Sequence, residues 1–172
     1  QWGRTGQIKL PPARPAPPSR QPRVGQFEPE GSFEPLNGAL AELGPLEIVL
    51  ISNPHSKASK EWNELLDRYH YLAAGPLCGD QLRYLIGCAQ GVLGALSFSA
   101  AARHLAARDQ WIGWDLVARR ENLYRIVNNS RFLIRPEVRV AHLASHVRGQ
   151  VLSRLTEDWE SRYGYRPVMV ET

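Results

Sequence analysis

Cysteine, lysine and long apolar runs are all scarce in this chain, and each shortage closes off a class of protein. Two cysteines, Cys78 and Cys88, are too few for a disulfide scaffold and match no metal spacing, so a reduced, partly buried pair in a reducing cytosol is expected. No apolar stretch approaches the roughly 20 residues that span a bilayer, and Gln1 to Leu10 lack a signal-peptide core. The reading is therefore a soluble, cytoplasmic chain that neither enters a membrane nor is exported. There is no Walker loop, no Gly-x-Ser-x-Gly elbow and no deaminase Cys-x-x-Cys, so standard ATPases, hydrolases and zinc deaminases lose support. With no complete catalytic motif, catalytic residues stay unassigned.

What is present suits one domain behind an arm. Hydrophobic residues make up 43% of the 172, enough to bury a core. Eight of the 13 prolines fall in residues 1 to 35, which hold few apolar side chains to offset the entropy of ordering. Residues 1–39 are read as a Pro/Arg-rich disordered linker and 40–172 as the domain. The chain opens on Gln1 and stops while Met169-Val170-Glu171 still reads as a strand, so a piece of a longer protein, lacking C-terminal strands, is expected. Eighteen arginines stand against three lysines. Arginine suits bidentate phosphate contact and base stacking, which points to a nucleic-acid partner, but a GC-rich genome produces the same bias.

Hydrophobic periodicity supplies the elements. Leu46 to Ile51 reads as a strand closed by Ser52-Asn53-Pro54. Trp62, Leu65, Leu66, Tyr69 and Leu72 follow the spacing of an amphipathic helix from near Ser56. Gln81 to Cys88 and Val92 to Ser99 form a hairpin around Gln90-Gly91. Residues 100 to 125 are irregular, with helix favoured at Ala100-Ala101-Ala102 and again from Leu116 to Leu123. Ile126 to Ile134 reads as a strand with a polar interruption. Leu143, Val147, Val151, Leu155, Trp159 and Tyr163 step by four along a helix that stops at Gly164, and a strand begins by Pro167. The fold class is α+β, a mixed and mostly antiparallel sheet flanked by helices.

Four features carry candidate chemistry. Asn128-Asn129-Ser130-Arg131 interrupts a strand with residues that strands disfavour, and marks either a cleft that binds a ligand or a self-satisfied network at a bulge. Trp111 and Trp114 beside Arg108, with Arg125 further on, can stack on bases and contact phosphate, though tryptophan also fills cores. His142 and His146 share a helical face at a spacing that supplies two zinc ligands, but no third ligand is near, and no metal is expected. Arg139-Val140-Ala141-His142-Leu143-Ala144 opens a helix after a strand, where free amides hold a pyrophosphate. It is similar to the Gln/Arg-x-x-Gly-x-Gly/Ala loop that cradles acetyl-CoA in GNAT acyltransferases, with Arg139 and Ala144 matching and His142 standing where that loop has its central glycine.

A longer series of motifs resembles one family. Tyr69-His70-Tyr71-Leu72, Gln81-Leu82-Arg83-Tyr84-Leu85, Leu93 to Ser99, Arg108-Asp109-x-Trp111-Ile112-Gly113-Trp114, Val127 to Ile134, Val138-Arg139-Val140, Leu143-Ala144-Ser145-His146 and Asp158 to Pro167 occur in the order of the Druantia DruA family. The resemblance covers roughly residues 40 to 172 and implies a bacterial anti-phage defence or mobile-element protein acting on or near DNA. It also implies other defence-system or transposase proteins as partners. A flanking winged-helix-like segment and a downstream Gly-Thr-x-Tyr-x-Ala-Ala-Asn-Trp motif, shared with the GNAT-like phage Mom proteins, are absent here. The resemblance thus implies a GNAT-like core, acyl transfer with acetyl-CoA or a related acyl-CoA as one activity, and a non-enzymatic DNA-binding or transposase-associated module as the other. It places Asn128, Asn129, Ser130, Arg131 and Arg139 around one cleft.

Overall fold

The computed structural model describes residues 33–172. Its strands and helices are β1 (Leu36–Gly38), β2 (Glu47–Leu50), α1 (Lys57–Tyr69), β3 (Gln81–Cys88), β4 (Gly91–Ala100), α2 (Ala106–Ile112), α3 (Leu116–Asn122), β5 (Ile126–Ile134), β6 (Val138–Val140), α4 (Leu143–Tyr163) and β7 (Met169–Glu171). Short 3-10 turns occupy Leu40–Leu43 and Leu123–Arg125. Five strands form the main sheet in the order β2-β3-β4-β5-β7, antiparallel except for the parallel β5–β7 pair that α4 connects. The expected α+β class, with its mixed and mostly antiparallel sheet, is the observed one.

Strand alternation divides the sheet between two helices. Leu82, Tyr84, Ile86, Leu96, Phe98 and Val127 face α4, whose every-fourth residues Leu143, Val147, Val151, Leu155 and Trp159 are all buried against them. Leu85, Ala95 and Leu133 face α1, which contributes Trp62, Leu65 and Leu66. Polar ties fix both layers. The Trp62 indole donates to the Leu96 carbonyl at 3.2 Å. The Tyr84 hydroxyl donates to Asp158 Oδ2 at 2.9 Å, and Arg154 Nε donates to the same oxygen at 2.7 Å. Burial, then the Asp158 carboxylate, pushes the Tyr84 phenol far above its ordinary value.

Helix ends follow their sequence signals. Ser56 Oγ accepts from Ser59 N to cap α1, and Gly164, left-handed at φ 76°, ends α4. Leu72 lies beyond the end of α1 and is half exposed, so it takes no part in that helix.

Two stretches depart from expectation. Ala100 is the last residue of β4, paired with Val127, and helix begins only at Ala106. Packing with β5 overrides the helical preference of the alanines. Within the segment read as linker, Leu36–Gly38 pairs in parallel with Val138–Val140 as a separate two-stranded sheet, and Phe33 and Leu36 pack against the core. The ordered domain therefore begins before residue 40; the calls on residues 1–32 lie outside the described residues.

Candidate nucleic-acid interface

The polar interruption in β5 is a bulge. Ser97 of β4 faces Arg131 and Phe98 faces Asn129, leaving Ser130 as the extra residue. Ser130 Oγ and Ser97 Oγ share a hydrogen bond at 3.0 Å. The Asn129 amide, its nitrogen turned toward two acceptors, donates to the carbonyls of Ser97 and Arg131 at 3.3 and 3.1 Å. Arg131 is buried and donates from Nε to the Ala73 carbonyl at 2.7 Å and from NH1 to the Ser130 carbonyl at 2.6 Å. The three residues therefore form a network that satisfies itself, as buried polar groups require. Ser97 belongs to it and was not singled out in the sequence. The polar break Leu96-Ser97-Phe98-Ser99 in an otherwise apolar strand was the available signal.

Arg139 stands elsewhere. It lies on β6, opposite Asn37 of β1, while Arg131 reaches toward the loop after α1 on the opposite face of the main sheet from α4. The structure gathers Asn129, Ser130 and Arg131 but does not place Arg139 with them; Asn128 pairs with Ser99 and Glu171. His142 is the residue before α4, left-handed at φ 62°, and Ala144 is exposed in the first turn. His142 is thus outside the helix, so it does not share a helical face with His146; both are exposed. Among the described residues no group of three metal-ligating side chains stands together. Cys78 is exposed and Cys88 half-buried, both as free thiols.

The segment between β4 and β5 is built differently from everything around it. α3 buries no residue, and α2 buries only Arg108. Arg108 is 5% exposed. It donates from Nε to Asp109 Oδ1 at 3.0 Å and from NH1 to the Ala102 carbonyl at 2.9 Å, and pairs with Glu171 of β7 at 3.2 Å. Arg119 of α3 reaches Asp109 Oδ2 at 3.2 Å. A charge this buried needs these partners, so Arg108 is a structural anchor for both helices and is not available to a ligand. Partial desolvation works to raise the Asp109 pKa, but hydrogen bonds and charge from Arg108 and Arg119 hold it below the ordinary carboxylate range.

Outward, the same segment shows apolar surface. Trp111 is 79% exposed, Leu116 74% and Val117 63%, with Tyr124 beside them in sequence at 53%. Trp111 therefore fills no core, while Trp114 is half-buried. Among the described residues Arg103, Arg120 and Arg125 have no carboxylate partner. Cations close in sequence to an open indole ring could hold phosphates while a base stacks.

Compared with known protein families, residues 19–172 match the family described as Druantia protein DruA. The chain belongs to the Druantia DruA family. The match begins some twenty residues before the boundary drawn at residue 40, and family membership makes this a protein of the Druantia anti-phage defence family. No curated protein and no solved structure gives a match. No helix among the described residues is long and apolar enough to cross a membrane.

Proposed function

We propose that this DruA-family chain is a nucleic-acid-contacting component of its defence system and that the α2–α3 segment is the contacting surface. The observation that carries the reading is Trp111, an indole open to solvent on a segment with no apolar core of its own; Arg120 lies on that segment and Arg103 and Arg125 flank it in sequence, all without carboxylate partners among the described residues. Trp111, Leu116 and Val117, close together in sequence and each at least 63% exposed, make this segment a candidate partner surface. Stacking tolerates any base and needs it unpaired, so single-stranded DNA is the preferred form. Fluorescence anisotropy with a labelled DNA strand tests this. Binding should weaken steeply with added salt, because phosphate neutralisation releases counterions. Absence of binding at low salt removes the reading.

A second reading, acyl-CoA binding by a GNAT-like core, is favoured by one observation. β5 and β7 run parallel with α4 between them, and the first-turn amides of α4 follow the Arg139–Ala144 loop. Against it, β6 intervenes between β5 and α4, and the His142 side chain occupies the position of the loop's central glycine. Acetyl-CoA should raise the Tm if this reading holds, with Arg139→Ala abolishing the rise. A transposase-associated docking role would leave both ligands without effect.

A further inference from the structure

At the end of the sheet where β2 leaves and β3 enters, a cavity of about 370 Å³ opens between the loop after β2, the turn before β3 and the last turn of α4. Two guanidiniums line it, Arg83 from β3 and Arg162 from α4. Arg108, Arg119, Arg135, Arg154 and Arg166 each pair with a carboxylate. Among the described residues Arg83 and Arg162 do not. Each is instead braced by an aromatic ring: Arg83 lies 5.3 Å from the Trp62 ring centre and Arg162 lies 5.9 Å from that of Tyr163. Arg162 has one long contact, to the Ser52 carbonyl at 3.5 Å. Burial and then the like charge of Arg162 lower the Arg83 pKa, as expected of two cations sharing a wall.

The remaining polar wall is held rigid. Tyr163 Oη accepts from Gln81 N at 2.8 Å and donates to the Gln81 carbonyl at 2.7 Å. Asp80 also lines the cavity and takes a hydrogen bond from the Tyr165 hydroxyl on Oδ2 at 2.8 Å, leaving Oδ1 without a protein donor among the described residues. A carboxylate beside two guanidiniums repels a bare dianion but accepts a hydroxyl proton.

We propose that this cavity binds a phosphorylated sugar, with the phosphate between Arg83 and Arg162 and a sugar hydroxyl donating to Asp80. Planar guanidinium forks match phosphate oxygens, and the ring supports fix their direction. The site shares no residue with α2–α3 and stands or falls separately from that surface. A free nucleotide and the phosphorylated end of a strand present the same chemistry.

Calorimetric titration with ribose 5-phosphate tests the site, with inorganic sulfate as the control anion. Wild type should bind ribose 5-phosphate saturably and sulfate more weakly. Arg162→Gln, at an exposed position outside the core, should bind about ten- to a hundredfold more weakly at unchanged Tm. Arg83→Gln should do the same, and Arg162 alone decides if that variant fails to fold. Asp80→Asn should narrow the gap between the sugar phosphate and sulfate. A strand with a 5′-phosphate outcompeting its 5′-hydroxyl counterpart assigns the strand end, and equal competition with ribose 5-phosphate still bound assigns the free nucleotide. No saturable binding at millimolar concentration, equal binding by Arg162→Gln, or an unchanged gap in Asp80→Asn overturns the proposal.

Discussion

Trp159 and Trp111 show two ways in which one chain uses the same side chain. Trp159 is fully buried near the end of α4, amid Tyr163 and Tyr165, in a layer where every fourth residue is apolar. Trp111 closes α2 in the open, on a segment whose one buried side chain is an arginine. The first region buries apolar area, whereas the second is tied in place by a few ion pairs that cost stability when one partner is removed. A segment held this way keeps its place while Trp111, Leu116 and Val117 stay exposed.

The comparison breaks first at the core. Trp159→Ala should cost about 3–5 kcal/mol of global stability in urea unfolding. A loss near zero would mean that α4 is not the layer that holds the sheet. Arg108→Met should come next. It leaves Asp109 and Glu171 without their shared cation and should release α2 and α3 locally, at a cost of about 3 kcal/mol. Hydrogen exchange should then rise across residues 106–122 while β3 and β4 keep their protection. Equal loss in β3 and β4 would show that the two regions are one cooperative unit.

Titration should separate the regions more gently. The Asp109 pKa is lowered in the fold, so its contribution is present above the ordinary aspartate range near 4 and is lost as pH falls through the lower folded value. Acid should therefore loosen α2–α3, read by the fluorescence of Trp111 and Trp114. At the other extreme, burial and the hydrogen bond to Asp80 push the Tyr165 phenol up to about 12. Its contribution is complete below the ordinary tyrosine value near 10 and is lost as pH rises through the folded one, so alkali should loosen the aromatic end of α4. Identical pH profiles for both probes would erase the distinction.

The same contrast explains what could be read from the sequence. α1, the β3–β4 hairpin, β5 and α4 each carry a periodic apolar face because each packs on the sheet, and their positions were legible within a few residues. α2 has no such face to display, and Ala100-Ala101-Ala102 drew the helix too early. β1 and β6 are three residues each, pair across about a hundred residues of chain, and include Gly38, so nothing local announced them. At the bulge, the polar residues were visible but their partners were not. Arg131 answers to Ala73 and Asn129 to Ser97, contacts that only the fold creates. The Arg108–Glu171 pair likewise joins residues far apart in sequence, which turned an expected phosphate contact into an anchor.

The most direct test compares DNA-strand binding by the wild type and by Trp111→Ala. Because Trp111 is 79% exposed, the substitution should change stability by no more than about 0.5 kcal/mol. Loss of a stacked base should still weaken binding by about 1–3 kcal/mol. Unchanged Tm with at least roughly fivefold weaker, salt-sensitive binding is the predicted result. Equal affinity in the two proteins would contradict the assignment of α2–α3 as the nucleic-acid surface.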